Sequence, residues 1–145
     1  LCLKNQGELL LSQKEYEKAF HSVRKSLKTS RKLGDMLLLS QNLSVAARIH
    51  GNPDLTYYDA PKADTYFQTC IKILEKKGLH LFLARELPHY ANFLLDNLQN
   101  ISALNLYKRA RDIYHSLGLT KAADGVRVMI EQLEGERPSV PPHGG

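Results

Sequence analysis

Apolar residues return along this chain every three or four positions over long stretches, with charged and amide residues between them, a period that belongs to amphipathic helices and not to strands. Between residues 20 and 32, for example, Phe20, Val23, Leu27 and Ser30 share one helical face, while Arg24, Lys28, Arg31 and Lys32 share another. The pattern predicts helices at about 1–12, 15–33, 36–50, 62–77, 79–96, 101–117 and 120–134, which make three hairpins and one extra helix. Leu9, Leu10, Tyr16, Phe20, Leu43, Ala46, Ile71, Leu74, Tyr90, Leu94, Leu104, Tyr107 and Ile113 recur at helical spacing with apolar neighbours and are the expected core. Asp35 and Thr120 stand where a side-chain oxygen would cap the amides of the third and last helices.

A second pattern lies inside the first. Three segments repeat an Ala, a bulky residue four positions on, a small residue three further and a Gly eight beyond that. These are Ala19, Val23, Ser26 and Gly34; Ala63, Phe67, Cys70 and Gly78; and Ala103, Tyr107, Ala110 and Gly118. Spacings of four and three place the first three residues on one face, and the Gly fits the left-handed residue that ends a helix. A small residue also precedes each set: Gly7 and Ala91 twelve positions before their Ala, and Ala47 sixteen before Ala63. The four additional residues fall in GNPDLTYYDAP, residues 51–61, a turn-rich insertion between two helices. The glycines recur after 44 and then 40 residues, the period of a helical-hairpin solenoid.

With Gly7, Leu10, Tyr16, Ala19 and Ser26 in the first unit, and Ala91, Leu94, Ala103, Tyr107 and Ala110 in the third, residues 1–118 resemble the tetratricopeptide repeat, in the long variety found in protein-interaction platforms and bacterial signalling proteins. The middle unit matches mainly in its second helix. The resemblance implies an all-α, right-handed superhelical solenoid of about three antiparallel hairpins, with units at about 1–34, 35–78 and 79–118. Thirteen residues beyond Gly118, where a further hairpin would need a small residue, stands Glu131. Ala122, Val126, Met129, Ile130 and Leu133 supply one apolar face, so residues 119–134 are expected to cap the array, within a repeat domain of 1–134. Residues 135–145, GERPSVPPHGG at the end of the chain, are too rich in Pro and Gly to pack and are expected to form a flexible tail. The first helix has no apolar cover upstream, so the sequence is expected to be a fragment of a larger protein.

The chain has 145 residues, 43% of them hydrophobic, an ordinary composition for a helical domain. Its longest apolar runs, of which Met36-Leu37-Leu38-Leu39 is one, are far short of a membrane span. Two cysteines, Cys2 and Cys70, make neither a disulfide framework nor a metal site, and Cys70 occupies a packing position. The net charge of +5 admits acidic peptides, nucleic acid and anionic lipid as partners. Much of it sits on the Arg24, Lys28, Arg31 and Lys32 ridge, which the later units do not repeat and which reads as a solvated outer face.

There is no Gly-rich phosphate loop, no paired-carboxylate spacing and no activated nucleophile, so an enzyme is not expected, nor a cofactor. The six histidines include no pair three or four apart on a helix, and no metal site is expected either. What the resemblance implies instead is a protein or peptide partner held by the first helix of each hairpin, in the cytoplasm. The matching positions are Lys4 and Glu8; Gln41, Ser44 and Arg48; and Arg85, His89, Asn92 and Asp96. This mixture suits an extended polar peptide or a helix. It does not suit the terminal-carboxylate clamp of some such repeats, because Glu8 and Val45 stand where that clamp needs Asn. Tyr57 and Tyr58 form a second candidate contact, with at least one ring hard to bury in a loop. Homo-oligomerisation through the uncovered amino end is the alternative, and a basic nucleic-acid-binding array the weaker one.

Overall fold

The computed structural model describes residues 17–18, 20–29 and 35–136. The described residues are all-helical, with no strand among them: residues 20–29 (α1), Met36–His50 (α2), Ala60–Lys77 (α3), His80–Asp96 (α4), Asn100–Ser116 (α5) and Thr120–Glu136 (α6). The expected helix at 1–12, the core positions Leu9, Leu10 and Tyr16, the repeat positions Ala19 and Gly34, the candidates Lys4 and Glu8, and all but the first two residues of the expected tail lie outside the described residues. The chain divides into two compact units, one ending at Gly78 and the other beginning at Leu79.

In the first unit, α2 and α3 pack as an antiparallel pair. Their contact is built on small side chains: Ala47 and Ala63 are fully buried, and Cys70 beside Phe67 is buried to the point that its thiol donates to the Ser40 carbonyl at 3.2 Å. Asp35 caps α2 as expected, its carboxylate accepting from the Leu38 amide at 3.0 Å. Helix α3 starts at Ala60, two residues earlier than periodicity predicts. The cause is Asp59, whose carboxylate accepts from the Lys62 amide at 3.1 Å. Pro61 falls in the first turn, where its missing N–H breaks no helical bond.

The insertion folds back on its own unit. Leu55 is buried with Phe20 of α1 and Ile49 of α2, and Val45 and Tyr57 pack against this cluster. The Tyr57 ring lies 4.1 Å from that of Phe20, centroid to centroid, whereas Tyr58 is 44% exposed. The adjacent tyrosines therefore divide, one closing the core and one facing solvent.

In the second unit, α4 packs on α5 and α5 on α6. The small residues Ala91, Ala103 and Ala110 are fully buried, with Tyr107 seated among them. Leu94 and Leu104 join this core, but Tyr90 and Ile113 are only half-buried. Two of the helix ends show the same left-handed device. After α5, Gly118 takes φ 76°, its amide bonding to the His115 carbonyl and that of Leu119 to the Tyr114 carbonyl. After α4, the equivalent residue is Leu98, at φ 62°, with the Leu98 amide on the Leu95 carbonyl and the Gln99 amide on Leu94. A Leu there carries the Cβ–carbonyl crowding that Gly avoids, and its side chain is 88% exposed. The apolar face of α6 is Ala123, Val126, Ile130 and Leu133; Ala122 and Met129 lie at its half-buried edge, and Glu131 is exposed. Thr120 is the first residue of α6 itself and not a residue ahead of it.

Candidate functional site

The first-helix positions behave differently in the two units. On α2, Gln41 and Arg48 are exposed, but Ser44 is only 6% exposed and is removed from the set of surface contacts. It lies four residues after Ser40 and three before Ala47, within the stripe that α2 buries, and its small side chain serves there as a packing residue. The Arg48 Nε reaches back towards the Ser44 carbonyl at 3.4 Å, a long bond that leaves most of the guanidinium available.

On α4, Arg85, Asn92 and Asp96 are exposed and His89 is half-buried, a row at intervals of four, three and four along one face. Asn92 is partly committed, because the Tyr107 hydroxyl donates to its side-chain oxygen. Burial, helped by the negative charge of Asp96, pushes the Tyr107 phenol up to about 12, so it stays a neutral donor through the physiological range.

Arg85 stands at the mouth of a cleft of about 490 Å³ formed with Leu81 of α4, Tyr114 and Gly118 at the end of α5, and Leu119, Thr120, Lys121 and Ala122 at the start of α6. The lining is apolar except for two cations, a hydroxyl and the Tyr114 phenol, and it includes no carboxylate. Burial raises the Tyr114 phenol above its ordinary value, and the positive charge of Arg85 pulls the other way. Lys121, Leu119 and Tyr114 are not on any first helix. They meet Arg85 because the left-handed turn at Gly118 brings the start of α6 back beside the end of α5.

The first unit has a smaller cavity, about 150 Å³, between Phe20, Arg24 and Leu27 of α1, Ala46 and His50 of α2, and Lys62 and Tyr66 of α3. Arg24, expected on a solvated ridge, lies with its guanidinium carbon 5.7 Å from the Phe20 centroid, and Lys62 with its ammonium 5.9 Å from that of Tyr66. His50 is buried in contact with both rings, edge-on to Phe20 at 5.2 Å and tilted against Tyr66 at 5.7 Å. Its Nδ1 lies 2.8 Å from the Tyr57 carbonyl, which only accepts, so that nitrogen carries the proton. A cation and an aromatic four apart, Phe20 with Arg24 and Lys62 with Tyr66, was the available sequence signal for this cavity.

Among the described residues no group of three or more His, Cys, Asp or Glu could hold a metal ion, and no helix is long and apolar enough to cross a membrane. Comparison of the chain with protein-family models, with curated proteins and with solved structures found no match.

Proposed function

We propose that the chain is a cytoplasmic, non-enzymatic protein-interaction module of the tetratricopeptide kind, which binds a short acidic segment of a partner. The observation that carries this reading is the cleft at α4, α5 and α6, where Arg85 and Lys121 flank an apolar lining that contains no carboxylate. Its volume of about 490 Å³ lies within the range of small-ligand sites, room enough for a side chain or two, and a few convergent charged groups on apolar walls are what orient such a ligand. An acidic side chain entering it would meet two cations in a partly desolvated setting, where such pairs discriminate between partners more strongly than they do in open solvent. The small residues support the repeat architecture: Ala47 and Ala63 in one unit, and Ala91, Ala103 and Ala110 in the other, are the points at which helices close on one another. Arg48 gives the first unit an exposed cation on its own first helix.

The probe is a fluorescent peptide rich in Asp and Glu. Changing Arg85 and Lys121 together to Glu should weaken its binding by roughly tenfold or more with helicity unchanged. Changing Lys72 and Lys76, exposed on α3, to Glu should leave binding within about a factor of two. Equal losses from both pairs would reduce the attraction to net charge and overturn the site.

A further inference from the structure

The cavity of the first unit is chemically unlike the cleft just assigned, and it carries a separate reading. We propose that it is an oxyanion site for a phosphate-class dianion. Three nitrogen-bearing side chains converge on it from three different helices: Arg24 from α1, His50 from α2 and Lys62 from α3. No carboxylate is among its lining residues, and among the described residues neither Arg24 nor Lys62 is in an ion pair. Two like charges held at one cavity repel each other, and an anion between them turns that repulsion into attraction.

The groups are also held in place. Arg24 and Lys62 lie against the rings of Phe20 and Tyr66, and both of those rings pack on the buried His50. The His50 ring is fixed by its bond to the Tyr57 carbonyl, so Nε2 is its one remaining polar atom. The floor, Phe20, Leu27 and Ala46, is apolar and buried, which limits the water competing for the donors. Size narrows the ligand. A space of about 150 Å³ lies well below the 300 Å³ at which sites for drug-sized ligands begin, so it holds one compact ion with a few waters and excludes a nucleotide. With the proton on Nδ1, the His50 Nε2 is an acceptor and matches the P–OH of a hydrogen phosphate, which a carboxylate lacks, while the Arg24 and Lys62 donors meet the charged oxygens and a guanidinium can engage two of those at once.

The test is a titration of the full chain with inorganic phosphate at constant ionic strength, followed by amide chemical shifts. A saturable response at Arg24, His50, Lys62 and Tyr66 is expected. It should weaken by roughly tenfold in Arg24→Gln and in Lys62→Gln, and persist in Lys28→Gln, one turn from Arg24. Because Arg24 and Lys62 are exposed, these variants should keep their helical circular dichroism. A phosphoserine tripeptide supplies the second arm: tighter binding than inorganic phosphate assigns the site to a phosphorylated side chain, and equal binding assigns it to the free ion. The double variant Arg85→Glu with Lys121→Glu should bind phosphate unchanged, which separates this site from the acidic-peptide cleft. Shifts no larger than those from matched chloride, or a response that survives both Gln variants, would overturn the proposal.

Discussion

The two units close their hairpins in opposite ways. Between α2 and α3 the chain spends nine residues, 51–59, and between α4 and α5 only three, 97–99. Tripling a loop costs roughly 1 kcal/mol of closure entropy, less than the about 1.5–3 kcal/mol gained by burying one large aliphatic side chain such as Leu55. The long connection is thus more than a tolerated insertion. It contributes Leu55 and Tyr57 to a cluster that holds Phe20 of α1. The short connections have no side chains to contribute and rely on the backbone, with a left-handed residue at Leu98 and again at Gly118. The cavities follow suit. Where a third helix is drawn in by the loop the space is small and ringed by aromatics, and where tight turns do the work it is an open cleft.

This contrast breaks most visibly at Phe20. Truncating it to Ala should destabilise the protein by about 3 kcal/mol in urea denaturation, whereas Tyr58→Ala, at an exposed ring in the same loop, should change stability by less than about 0.5 kcal/mol. If the two variants melted alike, the loop would be a linker and not a piece of core. A smaller effect belongs to the feature both units share. Ala103→Leu forces three extra carbons into a fully buried helix contact and should cost about 1–3 kcal/mol, and an unchanged melting curve would remove the small-residue spacing as a packing signal. The smallest effect has the opposite sign. Leu98→Gly should stabilise by about 0.5 kcal/mol, since relief of the left-handed strain exceeds the entropy that Gly adds to the unfolded chain. The same change at Leu117, which ends α5 with φ −89°, should destabilise, and a gain at both sites would mean that backbone strain is not what distinguishes them.

Periodicity carried much of the fold because helices bury side chains at fixed intervals: α2 was legible to its end residues, and the second and third sets of Ala, bulky residue, small residue and Gly are buried and left-handed as their spacing requires. Ser44 was misplaced because a residue small enough for a surface is also small enough for a helix contact, and only the partner helix decides. The candidate sites were less legible. Arg85 was among the expected first-helix positions, but Lys121 and Tyr114 join it in the cleft lining through a turn that no helical period encodes. Arg24 was assigned to the ridge because its Cβ points there, and the length of its side chain lets the charged head return over Phe20. The division between Tyr57 and Tyr58 depends on the path of the loop, which adjacent identical residues do not reveal.

Pro88 lies inside α4, between Arg85 and Asn92. It has no amide to offer the carbonyl of Ala84, so the ladder of hydrogen bonds along the helix is interrupted there. The turns that carry Arg85 and the turns that carry Asn92 and Asp96 are consequently joined by one backbone bond fewer than an uninterrupted helix would have. Amide protons of the leading turns should exchange with solvent by their own local opening, faster than those around Ala91 and Leu94. The guanidinium that lines the cleft therefore rides on the leading turns, on the far side of the weakest point in the α4 ladder from Asn92 and Asp96.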